Sequence, residues 1–263
     1  MGVFAFNEFQ ILLFFAALVR IGCLMMLMPF FGDSTIPPLV KIFLSFILCL
    51  IMFPFIQSQA TALPHDIFET SIGITVIVFK EATVGLVVGF IAKMFFESLS
   101  FAFTYMGMQM GFTMAAAYDV HTEASIPMIS KFVMILATLL FLSFDGHHML
   151  IKAMLESFHM VPVGAAVINK HMVGYIMDAG SQVFWIAVKL SAPMALVIFL
   201  VNLGFGIIAK AVPQINVLVV SFTVNILTGF LVVLLTLPVL GLNVADVFHT
   251  MFYRMFEVLK FLS

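Results

Sequence analysis

The chain has 263 residues, of which 63% are hydrophobic and 9% are charged, and its formal net charge is -2 at pH 7. With a mean hydropathy of +1.23, this composition excludes an ordinary soluble domain and predicts an all-α membrane protein with several spans. The slight negative charge argues against nucleic acid as a partner, because phosphate binding needs clustered Lys and Arg. Cys23 and Cys49 lie in apolar runs, so we interpret both as small buried hydrophobic residues.

Two apolar segments open the chain, at residues 9–31 and 39–56. The first carries Arg20 near its middle, and its apolar side chains outweigh the roughly 3 kcal/mol that one central Arg costs. The segment is therefore predicted to insert, and Arg20 is predicted to need a partner or a wet cavity. The second segment begins after Pro37 and Pro38, which suit the first turn of a helix.

A longer apolar run over residues 67–96 is interrupted by charged residues. These are Glu69, Lys80, Glu81 and Lys93. The neighbours Lys80 and Glu81 fit either a proton relay, which is the first suspicion for intramembrane charges, or a structural ion pair. Gly85 and Gly89 form a small-xxx-small pair, which predicts the close approach of another helix on that face.

The stretch over residues 101–127 is the predicted working centre of the chain. It contains Met106, Met108, Met110 and Met114, the glycines Gly107 and Gly111, and the amide Gln109. Such a pattern usually indicates core filling and a helix contact. Alternatively, unbranched Met side chains give a deformable apolar surface, and the glycines let a backbone approach closely or let the segment leave the helix. A polar loop is predicted over residues 119–125.

The segment over residues 128–158 contains a candidate ligand cluster at Asp145, His147 and His148. Asp145 and His148 are three positions apart and fit one helix face, as two metal ligands would. Because no third ligand follows at a fixed spacing, a hydrogen-bonded bend within a helix hairpin is the favoured interpretation. The uncharged run over residues 132–144 is short for a span, which needs about 20 residues.

The last third of the chain is predicted to form two apolar arms and an amphipathic tail. The first arm, over residues 171–210, is interrupted by Lys189 and Pro193, and residues 211–245 carry no charge. The turn between the arms is predicted at Pro213, Gln214, Ile215 and Asn216. Polar and apolar residues recur at helical spacing over residues 243–263, which predicts an amphipathic C-terminal helix with its own cap, lying on a membrane surface or a partner.

Catalytic function is not expected, because the sequence contains none of the common nucleotide-binding or hydrolase motifs. We therefore expect no cofactor. A stand-alone proton-coupled secondary transporter for a small solute is an alternative, with Lys80, Glu81 and a broken helix near Pro193 forming its site. A membrane metalloenzyme that uses His147 and His148 is a third hypothesis.

Five stretches of the chain, in order, resemble the FliR family, the R component of the type III secretion export gate. They are MPFFGDSTIPPLVK downstream of Arg20, KEATVGLVVGF at 80–90, GMQMGFTMAAAYDV at 107–120, DGHHMLI at 145–151 and LGFGIIAKAVPQINVLVVSF at 203–222. The PQINV and MQMGF strings are the most specific, and their wording favours the flagellar over the injectisome form. Val120 departs from the pattern, because the family more often places Pro after this Asp.

The apolar segments predict six to eight hydrophobic helices within one domain over residues 1–263, and the resemblance implies that these helices form kinked hairpins. It implies that this subunit joins P and Q export-gate subunits and the B switch subunit in a helical assembly, in contact with membrane lipid. The expected location is the bacterial inner membrane at the flagellar basal body. Unfolded export-substrate proteins are expected to pass through the assembly.

The resemblance also implies roles for particular residues. A plug across the channel corresponds to about residues 107–118, and the residues assigned to the constriction are Met106, Gly107, Met108, Gln109, Met110, Gly111, Phe112, Thr113 and Met114. The charges inside apolar runs are expected to pair between subunits, and these are Arg20, Lys80, Glu81, Lys93 and Lys189.

Overall fold

The computed structural model describes residues 7–29, 31–32, 36–59, 71–112, 128–214 and 216–263. Within these ranges it contains seven α-helices and no β-strand, which confirms the predicted all-α class. The helices are α1 (Glu8–Leu27), α2 (Pro38–Gln59), α3 (Ser71–Gln109), α4 (Met128–Ser143), α5 (Gly146–Met160), α6 (Lys170–Ala211) and α7 (Val217–Leu262). Five of them are long and apolar enough to cross a membrane, or six spans result if the bent pair α4 and α5 counts as one.

The first two helices begin where their sequences place start signals. Ahead of α1, the Gln10 side chain accepts a hydrogen bond from the Asn7 N–H at 3.0 Å, which satisfies one of the backbone donors that a helix start leaves free. α2 begins at Pro38, whose fixed φ suits the first turn and whose missing N–H has no partner to lose there. The predicted start after the proline pair is therefore observed.

Three helices are much longer than a membrane span requires. α3, α6 and α7 contain 39, 42 and 46 residues, whereas about 20 suffice to cross the hydrocarbon layer. The segments predicted separately at 67–96 and from 101 onwards join into α3, and the predicted C-terminal helix at 243–263 is the end of α7. Local cap residues did not stop these helices, because a continuous helix satisfies most of its own N–H and C=O groups in an apolar setting. α6 continues through Pro193 and α7 through Pro238, so the broken helix expected near Pro193 under the transporter alternative is not observed.

The break between α4 and α5 is a bend of 63°. Asp145 adopts the left-handed conformation there, with φ 54°, which Asp tolerates better than most residues. Its carboxylate lies 3.1 Å from the His148 Nδ1, and its carbonyl accepts the Met149 N–H at 3.1 Å. This is the hydrogen-bonded bend that the sequence favoured at this position.

The described chain divides into two compact units. The first comprises Met1–Phe95, Asp145–Gly180 and His249–Ser263, and the second comprises Phe96–Phe144 and Ser181–Phe248. The single domain predicted over residues 1–263 stays a prediction.

In the first unit, α1 packs against α2 and against α3. The contact with α3 is made through the predicted small residues. A Cβ at Gly85 would collide with the Arg20 carbonyl oxygen, and one at Gly89 would lie 2.9 Å from the Leu27 Cβ. No larger residue fits this α1–α3 contact without a shift of the backbone, because separations of this kind are well inside van der Waals contact.

Three aromatic rings form part of the core of the second unit. Phe96 stacks on Phe248 with ring centroids 5.7 Å apart, and Phe141 meets their edges at 5.5 and 5.0 Å. Offset and edge-to-face pairs of this kind add to the area that they bury. They join α3, α4 and α7 within this unit.

Candidate functional site

The Met-rich stretch begins in the last turns of α3. Met106 and Met110 are buried, at 5% and 0% exposure, whereas Met108 is 49% exposed. Residues four apart share one helix face, so the two buried methionines pack inward and Met108 lies on another side. Met106 and Met110 therefore fill the core, and Met108 contributes to an exposed apolar surface. The sequence pattern allowed either role for these methionines.

The helix α3 ends at Gln109, and the chain turns at Gly111. Gly111 has φ +89°, a left-handed conformation that side chains other than Gly rarely adopt. Its N–H bonds to the Met108 carbonyl at 2.9 Å, in the manner of a glycine that closes a helix C-terminus. Gln109 donates to the Tyr105 hydroxyl at 3.1 Å. Of the two roles proposed for the glycines, Gly111 therefore serves to take the chain out of the helix.

Three consecutive residues at this point contact α7 within the second unit. The Met110 side chain occupies the space beside Gly229, where a Cβ would collide with Met110 Cγ and lie 2.7 Å from Cε. A Cβ at Gly111 would lie 3.1 Å from the Phe222 ring. The rings of Phe112 and Phe230 meet edge to face with centroids 6.2 Å apart.

The rest of the predicted plug lies outside the described residues. This part of the plug includes Thr113 and Met114. The predicted polar loop over residues 119–125 also lies outside the described residues. The plug assignment as a whole stays a prediction, and the described part of it is residues 106–112.

In the first unit, Arg20 and Glu81 form a fully buried ion pair, with 2.7 Å between Nε and Oε2. The Arg20 Nη1 also donates to the Ser157 and Val161 carbonyls, both at 2.8 Å. These carbonyls belong to the last turn of α5 and to the residue after it, where unpaired C=O groups attract a cation. The Arg20 guanidinium also lies 4.3 Å from the centre of the Phe158 ring.

The second oxygen of Glu81 is bound as well. It accepts the Gly164 N–H at 2.8 Å, and the neighbouring Lys80 donates to the Gly164 carbonyl at 3.0 Å. Lys80 and Glu81 thus both bind the backbone of Gly164, one at its carbonyl and the other at its N–H, and do not pair with each other. The sequence allows Lys80 and Glu81 to pair with each other, and the resemblance implies that both, like Arg20, pair with other subunits. In the structure all three residues have partners in the same chain.

Lys93 and Lys189 behave differently, because both are exposed. They lie on long apolar helices, and neither forms an ion pair with a residue that the structure describes. Their predicted pairing with other subunits stays a prediction.

The predicted turn joins α6 to α7. α6 ends at Ala211, Pro213 and Gln214 lie in the turn, and Ile215 is outside the described residues. The Asn216 carbonyl accepts the N–H groups of Val219 and Val220 at 3.2 and 3.3 Å, which starts α7.

The amphipathic tail, residues 243–263, packs inside the first unit from residue 249 onwards. Its apolar side chains Met251, Met255, Val258, Leu259 and Leu262 are fully buried. On its polar side, Glu257 accepts the Tyr175 hydroxyl at 2.6 Å, and Arg254 pairs with Asp178 at 3.0 Å. The sequence predicts that this helix lies on a membrane surface or a partner, and it gives no indication of these contacts with Tyr175 and Asp178 of α6.

The bend at α5 also brings three potential metal ligands together. One ligand atom each from Asp145, His147 and His148 lies within 4.8 Å of the others. These imidazole and carboxylate groups suit zinc or a similar divalent metal. His147 supplies the third ligand that the spacing argument had lacked, and a metal here stays a hypothesis beside the hydrogen-bonded bend.

These observations define a multi-pass, all-α membrane protein in which the Met-rich stretch at the end of α3 contacts the long helix α7. Residues 11–251 match the family described as bacterial export proteins, family 1, and the chain belongs to this family.

Its relatives include three proteins called flagellar biosynthetic protein FliR. That of Bacillus subtilis is 32% identical over 89% of this chain and 90% of its own length. That of Pectobacterium carotovorum is 28% identical, covering 95% and 94%, and that of Escherichia coli is 24% identical, covering 94% and 93%. The resemblance to the FliR family inferred from the sequence is thereby confirmed.

Proposed function

We propose that this chain is a non-enzymatic subunit of the type III protein export gate, in its flagellar form. The observation that carries the proposal is the similarity to flagellar FliR proteins over nearly the whole chain. The location is then the bacterial inner membrane, at the flagellar basal body. Unfolded export substrates cross the membrane through the assembly to which the subunit contributes.

The exposed apolar surfaces of α6 and α7 support an assembly with other hydrophobic chains. Both helices are about twice as long as a span, so lipid alone does not account for them. Large side chains are exposed along both, among them Leu196, Phe199, Leu200, Leu203, Leu227, Leu231, Leu234 and Leu235. Contiguous exposed apolar surface marks contact with protein or membrane, and the proposed partners are the P and Q export-gate subunits and the B switch subunit.

Residues 106–114 are proposed to close the channel. Gly111 takes the chain out of α3, and the exposed Met108 offers an apolar surface that adapts to neighbours of different shape. A hydrophobic constriction of this kind blocks ions by excluding water and yields when a polypeptide enters.

The subunit assignment is tested by gentle extraction of the tagged protein from its own host's membranes, followed by native mass measurement and identification of the copurifying chains. We expect a large, defined complex with one copy of this chain and several copies of small, very hydrophobic partners. A monomer or homodimer that transports a solute in liposomes would contradict the export gate. The transporter alternative receives no support from Glu81, because both its oxygens are bound and its side chain is fully buried.

The plug is tested separately by deletion of residues 107–114 in the assembled complex. We expect ion leak across the membrane, measured as loss of membrane potential. Glu97→Ala, which changes an exposed residue of the same helix, is the control and should leave the membrane tight. A deletion variant that assembles without any leak would show that these residues do not close the channel.

A further inference from the structure

We propose that the space beside Gly229 of α7 is the seat of Met110, and that this contact holds the base of the plug, residues 110–112, in its closed position. The inference rests on the proposed function and adds a positioning residue outside the plug itself. Its starting point is the contact of three consecutive residues, Met110 to Phe112, with one helix. Residues 110–112, the last described part of the proposed plug, are thereby held against α7.

The fit between Met110 and Gly229 leaves no room for a side chain. A Cβ at Gly229 would collide with Met110 Cγ and lie 2.7 Å from Cε and 2.9 Å from Sδ. Met110 is fully buried, so its side chain is enclosed by neighbouring residues. The Cγ atom is bonded to the Met110 Cβ, so rotation of the distal thioether does not move it, and relief of the collision requires a change of χ1 or a shift of the backbone.

Gly is otherwise disfavoured in the interior of a helix. The Met110 contact gives a reason for its presence at position 229 in α7. A second glycine of the same helix, Gly241, has nothing within 4 Å of the position that its Cβ would take. The two glycines therefore form a matched pair, with one position filled by a neighbour and the other open.

A displacement of Met110 has to reach the next two residues. Gly111 is held in a left-handed turn with the Phe222 ring against it, and Phe112 lies with its edge against Phe230. Neither contact contains a hydrogen bond, so both weaken quickly with separation. Displacement of Met110 from the space beside Gly229 therefore also weakens the contacts of Gly111 with Phe222 and of Phe112 with Phe230.

The test compares Gly229→Ala with Gly241→Ala in the assembled complex in host membranes. We expect several-fold more ion leak for Gly229→Ala than for the wild type, and no change for Gly241→Ala. The double variant Gly229→Ala with Met110→Ala removes the colliding Cγ, and its leak should fall to that of Met110→Ala alone.

Equal, wild-type leak in the two single variants would overturn the inference. If the deletion of residues 107–114 still leaks in that case, the plug stands and only the seat is wrong; if the deletion is also tight, the proposed plug itself is wrong. Should Gly229→Ala fail to assemble, recovery of the complex in the double variant supports the seat, and failure to recover it contradicts the seat.

Discussion

The Arg20 cluster of the first unit and the Met110 contact of the second are both buried, but they are held by different forces. Arg20 and Glu81 bind each other and three backbone groups through charge-assisted hydrogen bonds between 2.7 and 2.8 Å. The contact of Met110 with Gly229 is apolar and depends on shape. Hydrogen-bonded charges in a low dielectric have one acceptable geometry, whereas a thioether packs in several. Under the proposed function, the complex must remain assembled while the plug moves, and this division between the two regions serves that need.

The largest effect is expected for Glu81→Ala, which leaves the Arg20 guanidinium buried without its counter-charge. Breaking one side of such a pair destabilises by about 3–5 kcal/mol. We expect little assembled protein in the membrane, measured as complex recovered on a native gel. Glu97→Ala, which removes an exposed carboxylate from the same helix, should leave the yield unchanged. Normal recovery of Glu81→Ala would mean that the pair is not what holds α1 to α3.

An intermediate effect is expected for Gly111→Ala. The left-handed φ of +89° disfavours a residue with a Cβ by about 1–2 kcal/mol, and the Phe222 ring must also move. The complex should assemble, but with a raised ion leak, because the strain falls on the start of the plug. Gly204→Ala, where the Cβ meets open space, is the control. If the two variants leak equally little, the turn at Gly111 does not position the plug.

The smallest effect is expected for Met110→Leu. Swaps that conserve volume in an apolar contact usually destabilise by less than about 1.5 kcal/mol. We expect a thermal midpoint of the complex close to that of the wild type and a tight membrane. A loss as large as that of Glu81→Ala would show that the Met110 contact is as strict as the ion pair, and the contrast between the two regions would disappear.

Features that depend on composition or on one local residue could be predicted from the sequence. These include the all-α membrane class, the bend at Asp145, the turn at Pro213 and the close contact at Gly85. In each case a short stretch carries the physical cause, such as a residue that tolerates left-handed φ or the absence of a side chain. The family was likewise accessible from short strings in order along the chain.

Features that depend on distant residues could not be predicted. Arg20 and Glu81 are 61 positions apart, and no spacing rule joins a charge on one helix to a charge on another. The sequence did not indicate the contact at Gly229 either, because a single glycine in an apolar run can be present for many reasons. Cap residues at the start of the C-terminal segment were misleading, since a continuous helix in an apolar setting outweighs a local hydrogen bond.

The contact between α1 and α3 has a consequence for how the chain is made. Glu81 and Gly85 lie one turn apart on α3, and both meet Arg20, one at its side chain and the other at its carbonyl. Sliding α3 by one turn in either direction would remove the counter-charge, and the slide that brings residue 81 to the place of Gly85 would also press a side chain on the carbonyl. During synthesis, α1 is made before α3, so the Arg20 side chain lacks its counter-charge until residue 81 is reached. We therefore expect chains truncated before residue 81 to be degraded rapidly in a pulse-chase experiment. Chains that include α3 should persist. That outcome would make survival of α1 in the membrane depend on the synthesis of α3.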